Sequence, residues 1–190
     1  MKEYEPEFDQ MLFNLPLAGS TFKKVYYDDL MQRAVSKFVP ADDLVVPYTA
    51  TSLDDCETII HTVRMTENEL RKQQVGGFYR DIEVNPTHLN ETEAEKKERA
   101  LEGVSKGRDD RMFSILECHT DLDLEGFEDV GQDGQPTGIK IPYIITLEEG
   151  TRKILSIRRN YEIGDPMKKK INYFVHFKFL PGLGFYGFGL

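Results

Sequence analysis

The arrangement of apolar and polar residues along the chain is mainly that of β-strands. Residues 21–27 and 32–38 alternate apolar and polar side chains, and aspartates occupy positions 28 and 29 between them. Alternation with a period of two places every second side chain on the core, and a short turn joins antiparallel neighbours. The pattern therefore predicts a hairpin near the start of the chain.

Two prolines and a short apolar run predict an edge strand after this hairpin. Pro40 and Pro47 bracket residues 42–46. Proline has no N–H to donate to a central ladder, so it is tolerated mainly at sheet edges. Ser52, with Asp55 three residues later, is a possible helix start and predicts a single helical turn.

The middle of the chain predicts one more strand and two helices. A strand over residues 58–65 leads into Thr66 and Glu69, which have the spacing of a capping box. The helix that starts there is predicted to end at the glycines 76–77, where a left-handed turn is easily formed. A second, mostly solvated helix is predicted over 91–103 from favourable charge pairs four residues apart.

The longest predicted strand covers residues 112–124. Its even positions are mostly apolar, so that face is predicted to be buried throughout. The odd positions become acidic half way along, with His119 between Glu117 and Asp121, which predicts a local ion pair once the histidine is protonated. Residues 126–138 contain four Gly and one Pro and are predicted to form a loop.

Three further strands are predicted in the last third of the chain, over residues 139–147, 153–161 and 171–179. Short turns without intervening helices join them, and such turns connect antiparallel neighbours. The predicted fold class is α+β, with a mainly antiparallel β-sheet and two or three short helices. We expect a single domain over residues 1–190, with a polar helical excursion at 85–110 on its surface.

Composition and charge narrow the class of protein. The chain has 33 acidic and 24 basic residues, a net charge of −9, and 39% hydrophobic residues. This composition fits a folded domain, and the negative charge argues against a surface that binds phosphates throughout. The first ten residues have neither a basic start nor an apolar run, so no signal peptide is predicted. Cys56 and Cys118 lack metal or disulfide spacing, which suits a reducing compartment.

The last twelve residues, 179–190, are unusual because they carry no charge and include three Phe, one Tyr and four Gly. Chain ends are normally polar and solvated. Two interpretations are open: the segment packs into the core of this domain, or the chain is a piece of a larger protein in which the segment is covered. The second is preferred.

Two motifs in the chain resemble ligand sites. Gly182, Gly184 and Gly187 match the dinucleotide fingerprint GxGxxG, but that fingerprint works within a βαβ unit. The preferred interpretation is that these glycines let aromatic side chains pack closely. Residues 121–126 begin like a calcium loop, yet the twelfth position is Gln132 where a glutamate is expected. A solvated acidic strand edge is therefore preferred there.

The remaining candidates are histidines, a cysteine and lysines. His61, His88, His119 and His176 share no metal-ligand spacing, and Cys118 is interpreted as a small buried apolar side chain. We assign no catalytic, cofactor-binding or metal-binding residues, and we expect no enzyme activity and no cofactor. A possible phosphate contact is assigned to a predicted hairpin turn, with a plain solvated loop as its alternative. It consists of Lys168, Lys169 and Lys170.

Several stretches of the sequence resemble the portal proteins of short-tailed, double-stranded DNA bacteriophages. The resemblance extends from about residue 20 to the end, and it is weakest at 85–107. The C-terminal stretch is long and unusual in composition, which makes the resemblance specific. The stretches that carry it are 38–48, 65–72 with 77–80, 121–127, 154–160 and 174–190.

The resemblance implies a structural protein of the virion, present in the host cytoplasm during assembly. Portal subunits form a dodecameric ring at one capsid vertex, through which a terminase motor packages DNA and through which DNA later leaves. Tail or adaptor proteins and capsid or scaffolding proteins contact the ring, the DNA passes without sequence-specific recognition, and no membrane is involved. The family chain is several times longer, so this chain would be an internal fragment from the wing-like outer region.

Two other classes of function stay open. The chain could be part of an enzyme that binds a nucleotide through its glycine-rich end, in which case titration with a nicotinamide cofactor would release heat. It could also be a small calcium-binding or protein-binding module, in which case calcium would raise its melting temperature and chelator would lower it.

Overall fold

A computed structural model describes residues 4–28, 31–85, 112–131 and 133–190. Within these residues the fold is α+β, as predicted, with strands in a three-stranded and a five-stranded sheet. In chain order the elements are α1 (Tyr4–Ala18), β1 (Ser20–Asp28), β2 (Arg33–Pro40), a 3-10 turn η1 (Ala41–Asp43), β3 (Leu44–Val45), β4 (Thr58–Thr66), α2 (Glu67–Val75), β5 (Met112–Leu122), β6 (Ile141–Glu148), β7 (Ile154–Arg159) and β8 (Phe174–Lys178).

The chain divides into two compact units. The first unit comprises Met1–His61, Cys118–Ile144 and Arg158–Leu190, and the second comprises Thr62–Glu117 and Ile145–Ile157. Each has its own apolar core. The core of the first unit contains Phe22, Val39, Leu44, Ala50, Leu53, Cys56, Ile59, Phe174 and Phe185. The core of the second contains Met65, Leu70, Tyr79, Phe113, Ile115 and Leu155.

The predicted hairpin and edge strand are confirmed. Strands β1 and β2 pair antiparallel, with Thr21 opposite Pro40 and Asp28 opposite Arg33. Strand β3 lies at one end of the strand order β3-β4-β5-β6-β7 and pairs antiparallel with β4. The turn chemistry and the two prolines were therefore sufficient to locate these elements.

The predicted continuation of the meander into β8 is wrong. β6 and β7 are neighbours in the five-stranded sheet, but β8 pairs antiparallel with β1 in the order β2-β1-β8. This pairing places His176 opposite Phe22 and Phe174 opposite Lys24. Burial of the aromatic residues Phe22 and Phe174 in one core favours this long-range pairing over a local hairpin.

The predicted burial of β5 is also wrong. Its buried side chains are the odd-numbered Phe113, Ile115 and His119 together with Ser114 alone among the even positions. β5 is the central strand of five, and a central strand can be covered on both faces. Cys118, predicted to be buried, is only half-buried.

The helical turn predicted at Ser52 does not form. The carboxylate of Asp55 instead accepts hydrogen bonds from the N–H of Thr51, the N–H of Ser52 and the hydroxyl of Thr51. These bonds, first that from the Thr51 hydroxyl and then that from the Ser52 N–H, lower the pKa of Asp55 to about 2. The same residues thus form a side-chain-closed turn, which competes with helix initiation.

Helix α1 was not predicted, because its apolar residues lack a clear period and Pro16 lies within it. Two contacts attach it to the three-stranded sheet. The carboxylate of Glu7 accepts a hydrogen bond from the N–H of Phe38. The ammonium of Lys23, a buried residue, lies 4.2 Å from the ring centroid of Tyr4 and 5.2 Å from that of Phe8. Lys23 therefore contributes to the interior and not to a basic surface.

The capping box of α2 is confirmed. The hydroxyl of Thr66 accepts a hydrogen bond from the N–H of Glu69, whose carboxylate in turn accepts one from the N–H of Thr66, and the helix ends at Gly76. The predicted helix at 91–103 and the excursion at 85–110 lie outside the described residues, apart from Asn85.

We expect Thr66→Ala to lower the free energy of unfolding by about 1 kcal/mol, because one N–H at the start of α2 loses its cap. Urea denaturation followed by circular dichroism measures this change. Asn68→Ala is the matched control, since Asn68 is an exposed residue inside the same helix and does not cap it. Equal stability of the two variants would contradict the prediction.

Candidate interaction surface

The C-terminal segment, residues 179–190, folds back onto the junction between α1 and β1. The N–H of Phe179 donates to the carbonyl of Gly19 over 3.0 Å, and the N–H of Leu190 donates to the carbonyl of Pro16 over 2.8 Å. Leu180 and Phe188 form an antiparallel bridge between these two contacts. The N–H of Leu190 thus pairs with a carbonyl in the last turn of α1. Carbonyls at the end of a helix have no N–H partner within the helix.

Glycines allow this close approach of two backbones. A Cβ at Gly19 would lie 2.5 Å from backbone atoms of Gly187, Phe188 and Gly189, and the φ of Gly19 is +74°. A Cβ at Gly187 would lie 2.6 Å from the carbonyl oxygen of Gly19, and one at Gly189 would lie 2.7 Å from that of Leu17. The two chain segments therefore touch backbone to backbone, which side chains would prevent.

Aromatic side chains hold the same segment on the sheet. Phe185 is buried and stacks on Phe22, with ring centroids 5.9 Å apart. The hydroxyl of Tyr186 donates to the carbonyl of Leu44 over 3.1 Å, and burial, with a smaller contribution from Asp42, raises the pKa of that hydroxyl. Part of the segment thus belongs to the core of the first unit, in agreement with the first of the two interpretations of its composition.

The rest of the segment and one side of α1 present apolar side chains to solvent. Backbone contacts of Gly189 with Pro16 and Leu17 bring the end of the segment next to the last turn of α1. The exposed apolar surface, as we name it, consists of side chains between 61% and 104% exposed, and its members are Phe13, Leu17, Leu183, Phe188 and Leu190. Apolar side chains exposed in such a group are typical of a surface that contacts another molecule.

The dinucleotide fingerprint has no structural support. Residues 182–187 form a tight turn between the bridge partners Leu180 and Phe188, and no helix follows them in residues 133–190. A phosphate would need the N-terminus of a helix at this point. A Cβ at Gly182 would lie 2.5 Å from the carbonyl oxygen of Tyr186 and one at Gly187 2.6 Å from that of Gly19, so backbone contacts explain these two glycines. A Cβ at Gly184 would meet no atom within 4 Å.

The calcium motif is not assembled into a site. Asp121 lies on β5, whereas Asp123 and Glu125 are exposed residues beyond its end. Among the residues that the structure describes, no group of three or more acidic, histidine or cysteine side chains has an arrangement that could hold a metal ion. Gln132 lies outside the described residues.

The lysines of the possible phosphate contact are partly engaged within the protein. Lys168 forms an ion pair with Asp129, and the ammonium of Lys170 donates to the carbonyl of Cys56. Lys169 is exposed, and its N–H donates to the carboxylate of Asp165 over 2.9 Å. The phosphate contact stays a prediction, and it would require Lys168 and Lys170 to leave these partners.

Three of the four histidines are in the described residues, and all three contact aromatic rings. His119, expected on an acidic face, is buried with its ring edge-on to Tyr173 and Phe174, at centroid distances of 5.8 and 5.3 Å. His61 is also edge-on to Phe174, at 5.4 Å. His176 contacts the rings of Phe22 and Phe185, which also contact each other, where the C-terminal segment meets the sheet. These histidines therefore act as aromatic core residues.

Ser20, His176 and the end of α1 take part in one contact that was not predicted. Ser20 and His176 are far apart in the chain, and each is unremarkable within its own strand. The one available signal was the pair of glycine groups, Gly19 and 182–189, since glycines in two segments permit backbone contact.

Two comparisons with known proteins find no match. No protein-family model matches the sequence, and no curated protein matches it at a significant level. Neither helix among the described residues combines the length and the hydropathy that a membrane span needs.

Proposed function

We propose that this chain is a structural part of a bacteriophage portal subunit, and that it contributes protein–protein contacts to the ring through which DNA is packaged and ejected. The proposal rests on the sequence resemblance of residues 20–190 to portal proteins of short-tailed phages. The observation that supports it best is the exposed apolar surface at the end of α1 and the C-terminal segment.

A ring subunit needs surfaces that stay uncovered until its neighbours bind. Phe13 and Leu17 lie one turn apart on α1, and Phe188 and Leu190 are adjacent to that turn through the backbone contacts described above. Aromatic and large aliphatic side chains are the usual centre of an interface between subunits. We therefore assign this surface to contact with a neighbouring subunit.

The charge of the chain fits a ring through which DNA slides. The net charge is −9, and two of the three lysines at 168–170 are engaged with protein groups. Many free lysines or arginines on a channel wall would bind phosphates in a salt-dependent way and would slow the movement of DNA.

The test is the assembly state of the protein. We expect the full open reading frame that contains these 190 residues, when expressed and purified, to form closed dodecameric rings in negative-stain electron microscopy. Phe188→Ser combined with Leu190→Ser should shift the population from rings towards free subunits at least tenfold, because both side chains are exposed in the single subunit.

The matched control is Ile163→Ser combined with Met167→Ser. Both residues are exposed apolar side chains in the turn before β8, away from the proposed contact in sequence, and their replacement should leave ring formation unchanged. A wild-type protein that stays monomeric at every concentration would contradict the portal proposal. If rings form equally well in both double variants, the portal proposal is supported, but the exposed apolar surface is not the contact between subunits.

A further inference from the structure

The imidazole of His176 belongs to a cluster of three aromatic rings in mutual contact, since the rings of Phe22 and Phe185 also contact each other at 5.9 Å. Its centroid lies 4.4 Å from that of Phe22 on β1 and 4.7 Å from that of Phe185 in the C-terminal segment. The interplanar angles are 28° and 25°, so the three rings are nearly parallel. The segment therefore contacts β1 and β8 through the ring of a residue that can change its charge.

Ser20 connects the same imidazole to the backbone of the segment. The Nε2 of His176 is 3.1 Å from the Oγ of Ser20, and that Oγ accepts a hydrogen bond from the N–H of Gly187 over 2.8 Å. A serine hydroxyl has one proton and two lone pairs. A neutral imidazole can accept that proton at Nε2, whereas an imidazolium has no acceptor to offer and leaves the hydroxyl proton without this partner.

The charged neighbours of the ring are mainly cations. Lys178, two residues along β8, donates to the carbonyl of Gly184 over 3.3 Å, and Lys24 on β1 has its ammonium 5.7 Å from the centroid of Phe174. The C-terminal segment contributes one titratable group, the phenol of Tyr186. Burial, and then the charge of Asp42 in η1, raise the pKa of this phenol. Burial, and then the charge of Lys178, lower the pKa of His176 to about 4.

We propose that protonation of His176 releases the C-terminal segment from strand β1, which makes this contact an acid-sensitive latch. In the docked state the imidazole is neutral and shielded by Phe185. In the released state it is open to water on one face, where it binds a proton more readily. Acid therefore favours release, because the released state takes up a proton that the docked state excludes.

Two opposing contributions determine how strongly pH shifts the docking equilibrium of the C-terminal segment. A pKa of about 4 in the docked state, against an ordinary value of 6.5, corresponds to a shift in the docking equilibrium of up to about 300-fold. Partial exposure of the ring and the attraction between an imidazolium and two phenyl faces reduce this shift. We expect at least a tenfold change.

Amide hydrogen exchange measured by NMR tests the latch residue by residue. The probes are the N–H groups of Gly187 and Leu190, which donate from the C-terminal segment to Ser20 and Pro16. Between about pH 7 and about pH 4.5, their protection factors, corrected for intrinsic exchange, should fall at least tenfold. The internal control is the N–H of Arg80, which donates to Leu155 in the second unit and should change less than threefold.

Two variants keep the proposal falsifiable. His176→Phe preserves a contact of three aromatic rings without a titratable group, and His176→Gln keeps a polar group facing Ser20 if the first variant does not fold. Protection of Gly187 and Leu190 should be independent of pH in whichever variant folds. The same fall in protection in that variant as in the wild type, or no fall in the wild type, would overturn the proposal.

Discussion

Gly19→Ala is expected to lower the free energy of unfolding of the first unit by about 3–5 kcal/mol. An alanine with a φ of +74° costs about 1–2 kcal/mol by itself. The new Cβ would also lie 2.5 Å from backbone atoms of Gly187, Phe188 and Gly189, and backbone atoms cannot rotate away. The C-terminal segment must then move. This movement exposes part of the buried Phe185 and weakens the hydrogen bonds that the segment makes with the end of α1.

Gly134→Ala measures the cost of the backbone conformation without the cost of the steric contact. Gly134 has a φ of +75°, nearly equal to that of Gly19, but a Cβ there would meet no atom within 4 Å. Its replacement should cost only the backbone term of about 1–2 kcal/mol. Chemical denaturation of the two variants under the same conditions gives the comparison. If Gly19→Ala and Gly134→Ala lower the free energy of unfolding equally, the backbone-to-backbone contact does not contribute to stability.

Local signals predicted the elements that depend on neighbouring residues. The capping box at Thr66 and the turn residue Asp28, whose carboxylate accepts a hydrogen bond from the N–H of Met31, marked element ends correctly, because these bonds lie within a few residues. Ser52 and Asp55 show the limit of such signals. The spacing of a helix start and that of a closed turn are the same, and the backbone conformation decides between them.

Long-range pairing was not predictable from the pattern. Strand β8 pairs with β1 across most of the chain, since this pairing buries Phe22, Phe174 and Phe185 together. A sequence shows that these residues are apolar but not which of them share a core. The glycines of the C-terminal segment were interpreted as allowing aromatic packing, but Gly187 and Gly189 approach backbone atoms of Gly19, a partner that only the fold identifies.

Glu148→Ala is expected to lower the free energy of unfolding of the second unit by about 3–5 kcal/mol. Glu148 is fully buried at the end of β6, and its carboxylate accepts hydrogen bonds from the N–H of Gly150, the N–H of Thr151 and the hydroxyl of Thr151. Hydrogen bonds to a charged group contribute about 1.5–3 kcal/mol each, although such contributions within one turn do not add fully. Alanine leaves these donors without their acceptor in the turn that joins β6 to β7.

Two variants show whether the carboxylate itself carries this effect. Glu149→Ala changes the exposed neighbour in the same turn and should alter the stability by less than about 0.5 kcal/mol. Glu148→Gln keeps one acceptor oxygen but places an NH₂ group opposite an N–H donor, so an intermediate loss of about 2 kcal/mol is expected. If Glu148→Gln is as stable as the wild type, the shape of the side chain at position 148 and not its charge stabilises the turn. If Glu148→Ala costs no more than Glu149→Ala, the buried carboxylate does not stabilise the turn at all.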